Sequence, residues 1–210
     1  QKRRQRVRSL DRIPSRHRGK DGHQVWQGKV PDRPFQLMRA AIERDGLAGI
    51  KVHRHDAPIT REVRDAARAL RVPVLYDVTG EVSVVELLAE QYPDVSFIIP
   101  HLGSFADDWR AQLALIDHLE RHPNVHADTS GVRRFDLLAQ AVRRAGAHKI
   151  LFGSDGPWLH PALELAKIRL LHLAPADEAL VLGGNLMRLL PQEFSAASAA
   201  APAAVAVHGR

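Results

Sequence analysis

Five short apolar runs, about 25 residues apart, limit the folds open to this chain more than any other feature: GIKVH (49–53), VPVLYDV (72–78), VSFIIP (95–100), NVHADT (124–129) and KILFGSD (149–155). Each is nearly continuous in aliphatic and β-branched residues and too short for a core helix, which is how parallel strands buried on both faces read. Between them lie stretches with helical character: Thr60 to Leu70, Ser83 to Gln91, Asp107 to Arg121, Phe135 to Ala145 and Pro161 to Leu173. A last helix is expected from Pro175 to Leu190, and Thr60, Ser83 and Pro161 are start signals. Parallel strands need crossovers, so strand–helix alternation predicts a parallel α/β sheet. The units do not repeat in sequence, which excludes a solenoid. A barrel portion and an open doubly wound sheet both fit the pattern.

The flanks differ from this body. Residues 1–34 are polar, charged and aperiodic, and are expected to be a disordered segment; 192–210 is an Ala-rich tail, leaving 35–191 as the folded portion. The net charge of +6 and pI near 10.1 suggest nucleic-acid binding at first sight. Yet Gln1 to Lys20 holds nine Lys or Arg against one acid, near +8, so the remainder is close to −2. The basicity belongs to the tail, and a nucleic-acid partner is not expected of the body. No apolar run approaches the roughly 18–20 residues of a membrane span, and no secretory h-region follows the basic start. With no cysteine, disulfides, thiolate ligands and a cysteine nucleophile are excluded, and a cytoplasmic address is expected.

In parallel α/β folds the working residues gather where strands end. The five exits carry His53 and His55, then Asp77, then His101, then Asp128 with Thr129 and Ser130, then Ser154 and Asp155. Imidazoles and carboxylates at every exit suit a divalent cation with open positions for water. In IIPHLGSF, His101 ends an apolar run and Gly103 lets the backbone turn beneath it. In KILFGSDGPW, Asp155 sits between Gly153 and Gly156, able to ligate a metal and accept a proton; Trp158 and His160 on the same loop are candidate substrate contacts. Asp77 is a further candidate ligand. His53 and His55 alternate, so one of the two is expected to face the site, and His53, on the face of Lys51, is preferred. Dinucleotide, P-loop and GxSxG motifs are all missing from the sequence.

Taken in order, GIKVH, PVLYDVTGE, FIIPHLGSF, PNVHADTSGV, KILFGSDGPW and VLGGNLMRLL resemble the amidohydrolase-related branch of the amidohydrolase superfamily, over about Gly46 to Leu190. The resemblance implies a (β/α)₈ TIM barrel around one or two divalent cations, zinc foremost, of which this chain carries about strands four to eight. It implies a metal-dependent hydrolase in which cation-activated water attacks a carbonyl or C–N bond of a small-molecule substrate. By position His101 matches the sixth-strand histidine and Asp155 the eighth-strand aspartate, the metal ligand and proton carrier; Asp77 stands where a fifth-strand histidine is usual, and His53 near the end of the fourth. No first-strand His-x-His precedes Gly49. The resemblance then implies a truncated chain of impaired activity, whose open sheet edges a second copy, another partner or the N-terminal segment would cover. A nonoxidative decarboxylase of the same superfamily and an inactive binding or scaffold fragment are the alternatives.

Overall fold

The computed structural model describes residues 33–191; the segments 1–32 and 192–210, which hold the two expected tails, lie outside the described residues. Five strands form one parallel sheet: β1 (Ile50–His53), β2 (Val74–Asp77), β3 (Phe97–Ile99), β4 (Val125–Asp128) and β5 (Ile150–Leu151). Their spatial order is their chain order. A doubly wound sheet reverses direction at a switch point, whereas right-handed crossovers without reversal place all helices on one face and curl the sheet as in a barrel. The order therefore decides between the two folds left open by the sequence: this is a portion of a (β/α) barrel.

The helices are α1 (Arg33–Glu43), α2 (Arg61–Leu70), α3 (Ser83–Gln91), α4 (Trp109–Arg121), α5 (Phe135–Ala145), α6 (Pro161–Leu170), α7 (Pro175–Ala179) and α8 (Asn185–Leu189). α1 was not among the expected helices. Local chemistry sets several ends. Thr60 caps α2 through Oγ1, and Asp108 caps α4 by accepting from the amides of Arg110 and Ala111. Ser83 begins α3 without capping it. The expected final helix is divided into α7 and α8 by a π turn at Leu180–Gly184, kinked at Gly183 (φ 178°). There Asn185 N–H donates to Leu180 O, which frees the Val181 carbonyl to accept Phe152 N–H at 2.8 Å just beyond β5.

The core lies between sheet and helices. Val74, Tyr76, Phe97, Ile99, Val125, Ala127 and Ile150 turn one face of the strands toward Leu88, Leu115, Ile116, Leu119, Leu138 and Ile168, all essentially inaccessible. Burying each large aliphatic or aromatic side chain stabilises the fold by about 1.5–3 kcal/mol. By alternation the opposite face receives Lys51, Leu75, Ile98 and His126 in one register row, and His53, Asp77 and Asp128 in the next. Among the described residues no helix is long and apolar enough to cross a membrane.

Candidate active site

At the C-terminal ends of the strands, polar side chains face one cleft of ≈ 610 Å³ lined by Lys51, His53, His55, Asp77, His101 and Asp155, with Phe105 and Trp158 among its other walls. Register brings the first pair together: His53 is the direct partner of Asp77. Asp77 Oδ1 accepts Thr79 N–H at 2.9 Å. Its Oδ2 lies 3.2 Å from His53 Nε2 and 3.5 Å from His101 Nε2. Burial opposes ionisation of Asp77, but His101, the Thr79 amide and His53 together outweigh it and hold the carboxyl below its usual range. Burial likewise pushes the His101 imidazole down, and contact with Asp77, the Ser130 carbonyl and the Asp128 and Asp77 charges outweigh it, leaving the ring more basic than usual.

Hydrogen bonds assign the two imidazoles different roles. His53 Nδ1 accepts the His55 amide at 3.2 Å. The proton of a neutral His53 ring is then on Nε2, and it donates toward Asp77. His101 is opposite: its Nδ1 faces the Ser130 carbonyl at 2.8 Å, which can only accept, so Nδ1 carries a proton. The lone pair of a neutral His101 therefore faces the cleft through Nε2.

The turn that presents His101 is held from β4. His101 and Leu102 both adopt left-handed backbone, φ 59° and 50°, at a cost of roughly 1–2 kcal/mol each. Asp128, at the end of β4, accepts the His101 amide at 3.1 Å. It also accepts the Ser130 amide at 3.0 Å and the Ser130 hydroxyl at 2.6 Å, all at Oδ1. Burial dominates its titration and pushes the Asp128 carboxyl up. Gly153 in the FGSD segment lies under this carboxylate: a Cβ there would stand 2.9 Å from Asp128 Cγ. Beyond it, Glu164 and Lys167 of α6 clamp the 129–132 turn. Glu164 accepts Gly131 N–H at 2.9 Å, and Lys167 donates to Val132 O at 2.9 Å and Thr129 O at 3.2 Å.

The structure brings His53, Asp77, His101, Asp155 and Trp158 to the one cleft. His55 joins them, against the expectation that one of the two histidines would face away. β1 ends at His53 and residues 54–56 form a turn, so strand alternation stops before His55. His160, expected to contact substrate, stands apart from the lining: its Nδ1 accepts Ala162 N–H at 3.2 Å as the cap of α6. Asp128 and Ser130 were visible at a strand exit, yet nothing in the sequence tells a carboxylate that holds a turn from one that faces a cleft. The imidazole and carboxylate donors fit a zinc- or manganese-type cation in kind. Among the described residues, however, no three His, Asp or Glu side chains are gathered closely enough to hold one by themselves.

A family model described as Amidohydrolase matches residues 25–192, and the chain belongs to that family. Among curated proteins, none matches it in sequence. Of the similar solved structures, 2,6-dihydroxybenzoate decarboxylase from Rhizobium is 20% identical with a TM-score of 0.57, over 76% of this chain and 67% of that one. An amidohydrolase from Burkholderia multivorans with bound zinc is 18% identical with a TM-score of 0.62, over 74% of this chain and 70% of that one. A dihydroxybenzoic acid decarboxylase from a Polaromonas species, with bound manganese and the inhibitor 2-nitroresorcinol, is 18% identical with a TM-score of 0.54, over 74% and 64%. At such identities the likeness is one of fold. The chain spans about two thirds of the length of these two decarboxylases.

Proposed function

We propose that the protein is a metal-dependent hydrolase of a small-molecule substrate, working at the cleft that His53, Asp77, His101 and Asp155 share. The observation that carries this reading is their common lining, contributed by four separate strand ends. His101 Nε2, Asp155 and Asp77 are the groups that would hold a divalent cation. Zinc is our first choice and manganese the second, and the cation would supply positive charge against a developing oxyanion and acidify water. Asp155 accepts the proton of the attacking water and returns it to the leaving group. His101, its Nδ1–H fixed on a carbonyl, keeps the Nε2 lone pair turned toward the place where the cation would sit. Lys51 and His55 in the lining favour a substrate with negative charge, and Trp158 offers a flat apolar face to it.

Nonoxidative decarboxylation is the second reading, favoured by the two decarboxylases among the similar structures and by the raised basicity of His101. A carboxylate would leave as carbon dioxide while protonated His101 or Asp155 delivers a proton to the carbon it leaves. One experiment separates the readings. Protein supplied with zinc or manganese is offered amides, esters, lactones and hydroxybenzoic acids, with titratable acid from esters and lactones, free amine from amides and trapped carbon dioxide measured in parallel; free amine without carbon dioxide counts with acid as hydrolysis. Acid without carbon dioxide supports hydrolysis, and carbon dioxide supports the second reading. Metal content at background after dialysis, with any turnover indifferent to Asp155→Asn, would remove both.

A further inference from the structure

The ring of His101 is governed by a proton count one layer behind it. The Ser130 hydroxyl gives its single proton to Asp128 Oδ1 at 2.6 Å, so toward His101 Nδ1, 3.0 Å away, it can only accept. The Ser130 carbonyl, 2.8 Å from the same nitrogen, also only accepts. Nδ1 thus faces two acceptors and no donor at 2.8 and 3.0 Å, closer than the single acceptor on the other ring nitrogen, Asp77 Oδ2 at 3.5 Å from Nε2, so a bare lone pair is opposed more strongly at Nδ1. The same Asp128 oxygen takes the amides of His101 and Ser130, so one atom ties the left-handed turn that carries the ring to the turn that reads its nitrogen.

We propose that Asp128 and Ser130 are positioning residues that fix His101 in one orientation and one tautomer, with Nδ1 protonated and the unprotonated Nε2 on the side of Asp77 and the cleft. The inference rests on the reading of His101 as a working residue, although the tautomer itself is independent of turnover. Asp128 acts by aiming the Ser130 hydroxyl. Once the carboxylate is removed, that hydroxyl is free to rotate and donate to Nδ1, which favours the opposite tautomer and turns the Nε2 lone pair of His101 into an N–H.

The test is long-range ¹H–¹⁵N NMR of the substrate-free full chain at alkaline pH, where the ring is neutral, with His101 assigned by the signals lost in His101→Gln. The wild type is expected to show a pyrrole-type Nδ1 and a pyridine-type Nε2. Asp128→Ala is expected to give mixed tautomers, and Asp128→Ala/Ser130→Ala to return to the wild-type pattern, because only the accepting carbonyl remains. A role confined to stability predicts no such return. A wild-type ring protonated on Nε2 overturns the proposal without any variant, as does a folded Asp128→Ala whose His101 signals are unchanged. Where Asp128→Ala does not fold, Ser130→Ala carries the test: it keeps the Nδ1–H form if the proposal holds, and a change to the Nε2–H form sinks it. Absence of hydrolysis, by contrast, would bear on the function alone.

Discussion

The two ends of the sheet both bury polar side chains, but they use them differently. At the N-terminal end the polar atoms are donors spent on backbone carbonyls. Lys149 Nζ donates to His122 O, Pro123 O and Val125 O at 2.6–2.9 Å. Asn124 Nδ2 is shared among Ala89 O, Tyr92 O and Val95 O. Asn185 Nδ2 reaches Ala147 O and Ile150 O. Each side chain spends its donors on carbonyls at strand starts and helix ends, some of which also accept a backbone N–H, as His122 O does from Val125 and Tyr92 O from Val95. At the C-terminal end, ionisable groups face one another across a cleft: Asp77 lies between the imidazoles of His53 and His101, and Asp155 lines the same cleft. One end directs its donors at the backbone, and the other turns its ionisable groups toward an open cleft. In parallel barrels that division separates stability from chemistry.

The largest effect that would sharpen this division is expected from Asp155→Asn. Residue 155 has φ 49°, a left-handed conformation that Asn tolerates, so the turn survives the substitution. Turnover should fall about 10²–10⁴-fold through loss of a proton acceptor, while the urea midpoint stays within error. A variant that loses stability in step with activity would place Asp155 among the structural groups.

The converse substitution at the other end is Lys149→Met. It keeps the length of the stem but takes the Nζ donor from Pro123 O and Val125 O and one of two donors from His122 O, which should cost about 2–4 kcal/mol of stability. Equilibrium unfolding in urea measures it. The cation content of the metal-loaded protein should be unchanged, and a loss of bound metal in the folded variant would break the separation of the two ends.

A third measurement concerns the layer between them. His126 is buried on the face that bears Asp77, one register row below it, with Nδ1 lacking a partner among the described residues. Burial foremost, then the charges of Lys149 and Arg188, push its imidazole down to about 4. The sign follows directly. Above the ordinary imidazole range neither folded nor unfolded chain carries this proton, and stability is unaffected. As pH falls below that range the unfolded chain takes up a proton that the folded chain refuses, so stability drops until the folded value near 4 is passed. The full loss is about 3 kcal/mol. His126→Leu should remove that part of the acid limb, read as urea midpoints between neutral and mildly acidic pH; an unchanged slope would show that His126 is not the group responsible.

The same contrast explains what could be read from the sequence. The five strands and the helices between them follow from apolar runs and their spacing, and α3 and α5 begin and end where expected, because local burial dictates both. The choice between barrel and doubly wound sheet did not follow, since strand order is a long-range property that no single segment carries. At the site, strand exits pointed to His53, Asp77, His101 and Asp155, because a residue at the end of a buried strand has few other places to go. His55 was misjudged because alternation holds only while the strand lasts, and the turn at 54–56 breaks it. Asp128 was harder: its partners are the amides of His101 and Ser130, 27 and two residues away, and a carboxylate that holds backbone looks the same in sequence as one that faces a cleft. α1 escaped notice because Arg33–Glu43 lies against a polar, aperiodic stretch that conceals where its pattern begins.

The smallest effect on the fold is expected at the outer edge of the functional end. Trp158 is 86% exposed although it lines the cleft, so its indole contributes almost no burial to the folded state. Trp158→Ala should therefore change stability by less than about 0.5 kcal/mol. If the exposed face is there to stack on substrate, KM should rise about three- to tenfold with kcat nearly constant, the signature of binding felt equally in ground and transition states. Steady-state kinetics on the substrate found by the parallel assay, beside thermal unfolding, gives both numbers. A stability loss above about 1 kcal/mol with unaltered KM would reverse the assignment and make Trp158 a packing residue, leaving Phe105 as the aromatic wall of the cleft.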